Sequence, residues 1–272
     1  MRKYEIIAII LVTIIAAFGL YRYENQSSSL GIGNIRDDGS GMQLIAFAIG
    51  SPPDFAKINN VTEKKRAFFE YLKPGIALEN QRIEKERRRL DTMKQRFDNG
   101  ELSAEDKSYA KRLGKLYNVN VPASGITEGW LDKMLHRVDV LPEALVLIQA
   151  ANESAWGTSR FATQGNNFFG QWCYQKGCGL VPLQRGGGKS HEVAKFSSVQ
   201  ESIHRYFMNV NRNTAYYQLR EIRYQRHLKH ESLKDDAAAI SLTNGLTKYS
   251  ERGEAYVKDL QQMIRQNEAY WK

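Results

Sequence analysis

Apolar and polar positions alternate in several distinct patterns along the chain. An unbroken apolar run from Ile6 to Leu20 comes first, preceded by Arg2 and Lys3 and followed by Tyr21, Arg22 and Tyr23. Such a run is at the upper end for a signal-peptide core and just short of the roughly 20 residues of a relaxed bilayer span. Ala16 and Ala17 make a poor cleavage site, because Ile15 would stand three before the cut, so residues 1–23 read as an uncleaved signal anchor, with a signal peptide as the alternative. In both cases Arg2 and Lys3 stay cytoplasmic and the chain beyond Tyr23 is exported. Residues 24–60, rich in Ser, Gly, Asn and Pro, read as a linker with a short strand at the apolar patch Leu44 to Ile49.

Helical periodicity begins at Glu63. Phe69 and Leu72 form one apolar edge, Pro74 marks a restart, and Ile76, Ile83, Leu90 and Phe97 recur at seven-residue intervals up to Asn99-Gly100. This predicts a long amphipathic helix. Leu102 and Ser103, with Asp106 three residues on, start another. After Val121-Pro122, Thr127 caps a helix to about His136, and Pro142 opens a strongly apolar helix to about Trp156. Between Gly170 and Phe196 the pattern turns to glycine, aromatics and alternation. Gly186-Gly187-Gly188 lies between Val181-Pro182-Leu183 and Val193-Ala194-Lys195-Phe196, which predicts a β-hairpin. Helical spacing returns with Ser202, Tyr206 and Val210, then over Ala237 to Ile240 and Tyr256 to Ile264. The expected fold is mainly α with one small hairpin, divided into a helical region at 61–109 and a domain at 110–272.

Composition narrows the function classes. At 272 residues, 42% hydrophobic and 25% charged, with only 6 Pro, the chain is neither disordered throughout, nor collagenous, nor a multi-span protein. Its net charge of +9 suits an anionic partner without choosing among nucleic acid, lipid headgroups and acidic polymers. Arg82, Lys85, Arg87, Arg88, Arg89, Lys94 and Arg96 alternate with Glu84, Glu86 and Asp91 on the long helix, the pattern of a solvated face. Export separates the chain from nucleic acid, so anionic lipid or wall polymer is the partner such a face would meet. Cys173 and Cys178 enclose four residues, a loop that one disulfide can close in an oxidising compartment. Zinc is the competing reading, but it needs two more ligands, and the nearest histidine, His191, has no spaced partner.

The chemistry concentrates around Glu153. It stands near the end of the apolar helix, with Gln149 and Trp156 on its face by i−4 and i+3 spacing. Poor hydration there disfavours the charged form, which is what a general acid working near neutrality requires. Downstream, Asn166-Asn167-Phe168-Phe169-Gly170-Gln171-Trp172 places amides and aromatic faces in one loop. Sugars bind such surfaces, since apolar C–H faces stack on rings while amides take hydroxyl and acetamido groups. Phe168 and Phe169 also suit core filling.

Gln149-Ala150-Ala151-Asn152-Glu153-Ser154-Ala155-Trp156-Gly157, followed by Asn166-Asn167-Phe168-Phe169-Gly170, resembles the bacterial N-acetylglucosaminidase domain of cell-wall hydrolases, shared by flagellar-rod muramidase-like proteins and autolysins. Ala194-Lys195-Phe196-Ser197-Ser198, Glu201-Ser202-Ile203, Asn213-Thr214-Ala215-Tyr216, Tyr249 and Tyr256 follow in that family's order, so the resemblance spans about residues 110 to 272. It implies a lysozyme-like helical fold with a hairpin beside the cleft, and hydrolysis of β-1,4 bonds after N-acetylglucosamine in peptidoglycan. Glu153 matches the family's general acid and Tyr216 an aromatic residue lining its cleft. Phe169 and Trp172 fall where the sugar groove would be, and Gln149, Trp156 and Asn167 complete the candidate substrate-binding set. Cys173, Cys178 and the glycine-rich stretch extend the hairpin beyond the family's common pattern.

Glu192, on the returning hairpin strand, is the candidate second catalytic carboxylate, with Glu201 and Glu254 behind it. A gap of about 6.5–9.5 Å from Glu153 would suit inversion, about 5 Å a retaining nucleophile, and the substrate's 2-acetamido group offers a third route. The implied enzyme needs no cofactor. Its partners are peptidoglycan glycan strands and, through residues 1–23, the inner membrane, with no nucleic acid; it acts as a monomer on the periplasmic side. A lytic transglycosylase and a non-catalytic, membrane-tethered glycan scaffold are the alternatives.

Overall fold

The computed structural model describes residues 49–183 and 191–272. The apolar run at 1–23, the linker up to residue 48 and the Gly186-Gly187-Gly188 turn lie outside the described residues. Among the described residues no helix is long and apolar enough to cross a membrane.

The longest element is α1, Val61–Asp98, capped where the Asn60 side chain accepts from the Glu63 N–H. The expected restart at Pro74 does not occur, and the helix runs through it. A proline inside a helix removes one ladder bond and costs about 3 kcal/mol. Here Phe69, Leu72 and Ile76 on either side of it are fully buried, and that burial holds the turn. Gly75 allows the helix carrying Gln200 and Ile203 to approach closely, since a Cβ there would stand 2.7 Å from Gln200 Oε1 and Ile203 Cδ1.

α2, Ala104–Leu116, begins with the expected capping box between Ser103 and Asp106, and α3, Glu128–Arg137, with the expected Thr127 cap. α4, Glu143–Ser154, is buried almost all round, as a helix at the centre of a core should be. It packs against α1 and against two later helices, Asp236–Thr243 and Glu254–Asn267. It stops two residues short of the predicted end, because Ala155 and Trp156 both turn left-handed, at φ 50° and 57°. Ser154 closes the turn, its hydroxyl donating to Ala150 O and accepting from the Gly157 N–H. A short α5, Arg160–Gly165, follows.

Instead of a two-stranded hairpin there is a three-stranded antiparallel sheet: β1 Trp172–Cys173, β2 Gly179–Leu180 and β3 Glu192–Ala194, in the order β1-β3-β2. Cys173 pairs with Glu192, and Leu180 with Val193. The expected outgoing strand at Val181-Pro182-Leu183 is displaced to Gly179–Leu180, just before the proline, which has no N–H to offer a ladder. The remaining elements are α6 Val199–Arg212, α7 Tyr217–Leu228, α8 Asp236–Thr243 and α9 Glu254–Asn267.

One buried apolar cluster joins α1 to the rest, running from Phe55 through Ile76, Ile83, Leu145 and Tyr206 to Ile264. Position 109/110, the expected division, falls inside α2. Phe55, in the stretch expected to be linker, is buried and packs on Phe68 of α1. The basic run on α1 is not simply a solvated face. Arg82 is buried between Glu79 and Glu86, 3.0 and 2.6 Å away, and the Tyr117 hydroxyl donates to Glu86 at 2.6 Å. Arg87 is buried on Asp139 and on the carbonyls of Leu135 and Val138. Internal pairing consumes these two cations.

Candidate active site

Glu153 is half-buried in the last turn of α4. Both of its hydrogen bonds arrive at one oxygen: Oε1 accepts from the Tyr256 hydroxyl at 2.8 Å and from Asn152 Nδ2 at 3.1 Å. Oε2 receives none among the described residues and faces the backbone of Gly170, where a Cβ would stand 3.2 Å from it. Gly170 has φ 64°, a conformation that side chains rarely adopt, so a glycine meets both the backbone and the space requirement. Burial raises the Glu153 pKa above its ordinary value, against the opposing hydrogen bonds from Tyr256 and Asn152.

The anchor of Glu153 is itself anchored. The Tyr206 hydroxyl donates to Gln149 Oε1, Gln149 Nε2 donates to the Tyr256 oxygen at 3.0 Å, and Tyr256 donates to Glu153. Three elements, α6, α4 and α9, thus fix one carboxyl with every donor and acceptor direction defined. Tyr249 stacks parallel on Tyr256 at 5.8 Å, donates to Phe169 O at 2.8 Å and lies 5.7 Å from the Tyr216 ring. Burial first, then neighbouring tyrosines and after them Glu153, hold the Tyr206 and Tyr249 phenols well above their ordinary pKa, so both stay protonated. Tyr216 is raised too, by burial, which outweighs an opposing hydrogen bond with Asn209, while Glu153 and Tyr174 add smaller contributions.

The structure divides the predicted site residues into two groups. The Gly170 end of the aromatic loop lies against Glu153, and Tyr216 joins the tyrosine cluster around Tyr256 through Tyr249. Gln149 is fully buried behind Glu153 in the relay. Asn167 is buried, accepting from the Phe169 and Gln171 N–H groups and donating to Gln171 O and Ala194 O, so it shapes the loop. Phe169 is buried and stacks on Tyr206 at 4.2 Å. These three stand behind the surface of the site. Trp156 turns away because α4 has already ended. It packs edge-on against Phe68 and Phe69, with the Lys65 ammonium 5.1 Å from its ring. Trp172 is 52% exposed on β1 and stacks on His191 at 4.0 Å, an accessible aromatic face.

Glu192, the candidate second carboxylate, does not lie on the surface. It is buried, and its two oxygens accept from the Gly177 N–H at 3.0 Å and the Gly179 N–H at 2.8 Å. Glu201 caps α6, accepting from the N–H and hydroxyl of Ser197, while Glu254 lies exposed in the first turn of α9. Cys173 and Cys178 are bridged. Their sulfurs and a Glu192 oxygen lie within 4.8 Å of one another, but a disulfide offers no thiolate to zinc.

Sequence reasoning about the site missed Asn152, Tyr206 and the anchoring role of Tyr256. Asn152 adjoins the acid and could have been found from that position. The two tyrosines come from helices remote in sequence.

A family model described as mannosyl-glycoprotein endo-beta-N-acetylglucosaminidase matches residues 130–269. Protein bax of Escherichia coli (strain K12) is 32% identical over 218 residues, which cover 80% of this chain and 75% of that protein. No solved structure matches.

Proposed function

This chain belongs to the glucosaminidase family, and on that basis we propose that it hydrolyses the β-1,4 bond after N-acetylglucosamine in peptidoglycan glycan strands, with Glu153 as general acid. The observation that carries the reading is the state of one carboxyl, half-buried, raised in pKa and tethered only through Oε1. With Oε1 accepting two hydrogen bonds, the proton belongs on Oε2. That proton passes to the bridging oxygen as the C1–O bond breaks and positive charge develops on the sugar. The relay behind Oε1 keeps the carboxyl from rotating, so its geometry is set before substrate arrives.

Both Glu192 oxygens are engaged by backbone amides, which supports the substrate's own 2-acetamido oxygen as the group that attacks C1. The Glu153 carboxylate then takes a proton from the water that completes hydrolysis. A mainly helical body with a small sheet beside the acid supports a lysozyme-like arrangement. The apolar run after Arg2 and Lys3 supports work on the periplasmic side of the inner membrane, as a monomer tethered or released there.

Mass spectrometry of muropeptides from purified sacculi tests the reaction. Fragments ending in reducing N-acetylglucosamine are expected. Reducing N-acetylmuramic acid or anhydro-muramic ends would contradict it, the latter indicating a transglycosylase.

A further inference from the structure

The segment from Trp172 to Gly179 is a built structure whose purpose the acid at Glu153 does not explain. The Cys173–Cys178 disulfide closes it, and the sheet holds both of its edges through β1 and β2 against β3. A charged side chain, Glu192, is buried beneath it with its two oxygens on the N–H groups of Gly177 and Gly179. Burying a carboxylate costs several kcal/mol unless hydrogen bonds replace its water. These bonds bring that charge to bear on the shape of one short loop.

The loop displays aromatic surface. Trp172 and Tyr174 flank the bridged Cys173, 52% and 73% exposed. Exposed rings on a rigid backbone suit sugar stacking, since little freedom is lost on contact. The loop also borders the acid. A Cβ at Gly170 would stand 3.2 Å from Glu153 Oε2, and β1, which opens the loop, begins two residues later at Trp172.

We propose that the disulfide-closed loop is a sugar-binding lip of the catalytic cleft, with Tyr174 as its contact for an N-acetylhexosamine ring, and that Glu192 is a positioning residue holding the lip in place. The proposal rests on the peptidoglycan reading above. It gives the hairpin extension a role in gripping the strand, and removes Glu192 from the reacting groups. Reduction of the bridge frees one side of the loop and weakens the grip.

The test uses the full chain. Kinetic constants on purified glycan strands are measured for wild type, Tyr174→Ala, Tyr174→Trp and Glu192→Gln. Cosedimentation with undigested sacculi is measured for Glu153→Gln alone, combined with each of these substitutions, and under reductant. Tyr174→Ala and Glu192→Gln should each raise KM and weaken cosedimentation about five-fold, with kcat within about two-fold of wild type. Tyr174→Trp should restore binding, and reductant should lower it to the Tyr174→Ala level. Tyr174 is exposed, so its substitution leaves the core intact.

Unchanged cosedimentation in the Tyr174→Ala pair overturns the lip. A hundred-fold fall in kcat at Glu192→Gln with KM unchanged makes Glu192 a reacting carboxylate and overturns its positioning role. If wild type shows no turnover, the hydrolase reading fails, and the cosedimentation comparison still decides the lip.

Discussion

The phenolic hydroxyl of Tyr256 donates to Oε1 of Glu153 at 2.8 Å, while its oxygen accepts from Gln149 Nε2 at 3.0 Å. One hydroxyl therefore both restrains the acid and opposes its high pKa, because a donor favours the carboxylate. Tyr256→Phe removes that donor. The alkaline limb of the kcat–pH profile should move to higher pH, since Glu153 then holds its proton longer. The optimum kcat should fall about ten-fold as the carboxyl loses its anchor. Gln149 loses a buried acceptor, so denaturant melts should show a loss of about 1–2 kcal/mol.

Glu153 is also predicted to destabilise the fold near neutrality. Its folded pKa stands above the ordinary 4.5, so its favourable contribution is complete below that value and is lost as pH rises through the folded pKa. Glu153→Gln has nothing to ionise. Thermal melts should show the variant more stable than wild type at about pH 7, with the advantage shrinking as pH falls through the raised folded pKa and levelling off below the ordinary 4.5. A variant less stable than wild type at neutral pH would contradict the desolvated acid.

Gly170→Ala tests the contact behind Oε2. The residue has φ 64°, and the added methyl would stand 3.2 Å from Oε2. The fold should lose about 1–2 kcal/mol through backbone strain. The kcat value should fall more than KM rises, because the acid is displaced and the sugar contacts are not.

Away from the site, the buried Glu79–Arg82–Glu86 group makes a prediction about acid. Burial pushes the Glu79 pKa up, but Arg82 and His204 outweigh it and hold the carboxyl down at about 2. Its stabilising contribution is present above the ordinary 4.5 and lost as pH falls towards about 2. Glu79→Gln should cost about 3 kcal/mol at neutral pH by leaving Arg82 with reduced compensation. It should also flatten the dependence of stability on pH across that acid window. Urea melts at several pH values measure both.

These relationships differ in how far the sequence discloses them. α4 was legible because Ala144 to Ile148 form an apolar run after Pro142, and Glu153 because it is the carboxylate at that helix's end. The placement of Trp156 was not, since the left-handed turn at Ala155 leaves no mark in an alanine. Glu79, Arg82 and Glu86 stand at pairing distances along one helix, but only the packing of Tyr117 against Glu86 shows that they pair inside the protein. The relay was hidden because it joins Gln149 to Tyr206 and Tyr256 across 57 and 107 positions, and no local period encodes such contacts. For Glu192 the residue was visible and its environment was not. Alternation places it on a strand, while the turn that brings the Gly177 and Gly179 amides onto its oxygens lies in the loop closed by the disulfide.

The measurement that bears most directly on the account is release of soluble fragments from purified sacculi by wild type and by Glu153→Gln, each shown to be folded and to cosediment with sacculi. The account predicts release by wild type and a loss of at least about a thousand-fold in the variant, with cosedimentation retained. Equal release by the two proteins would show that another group performs the protonation assigned to Glu153.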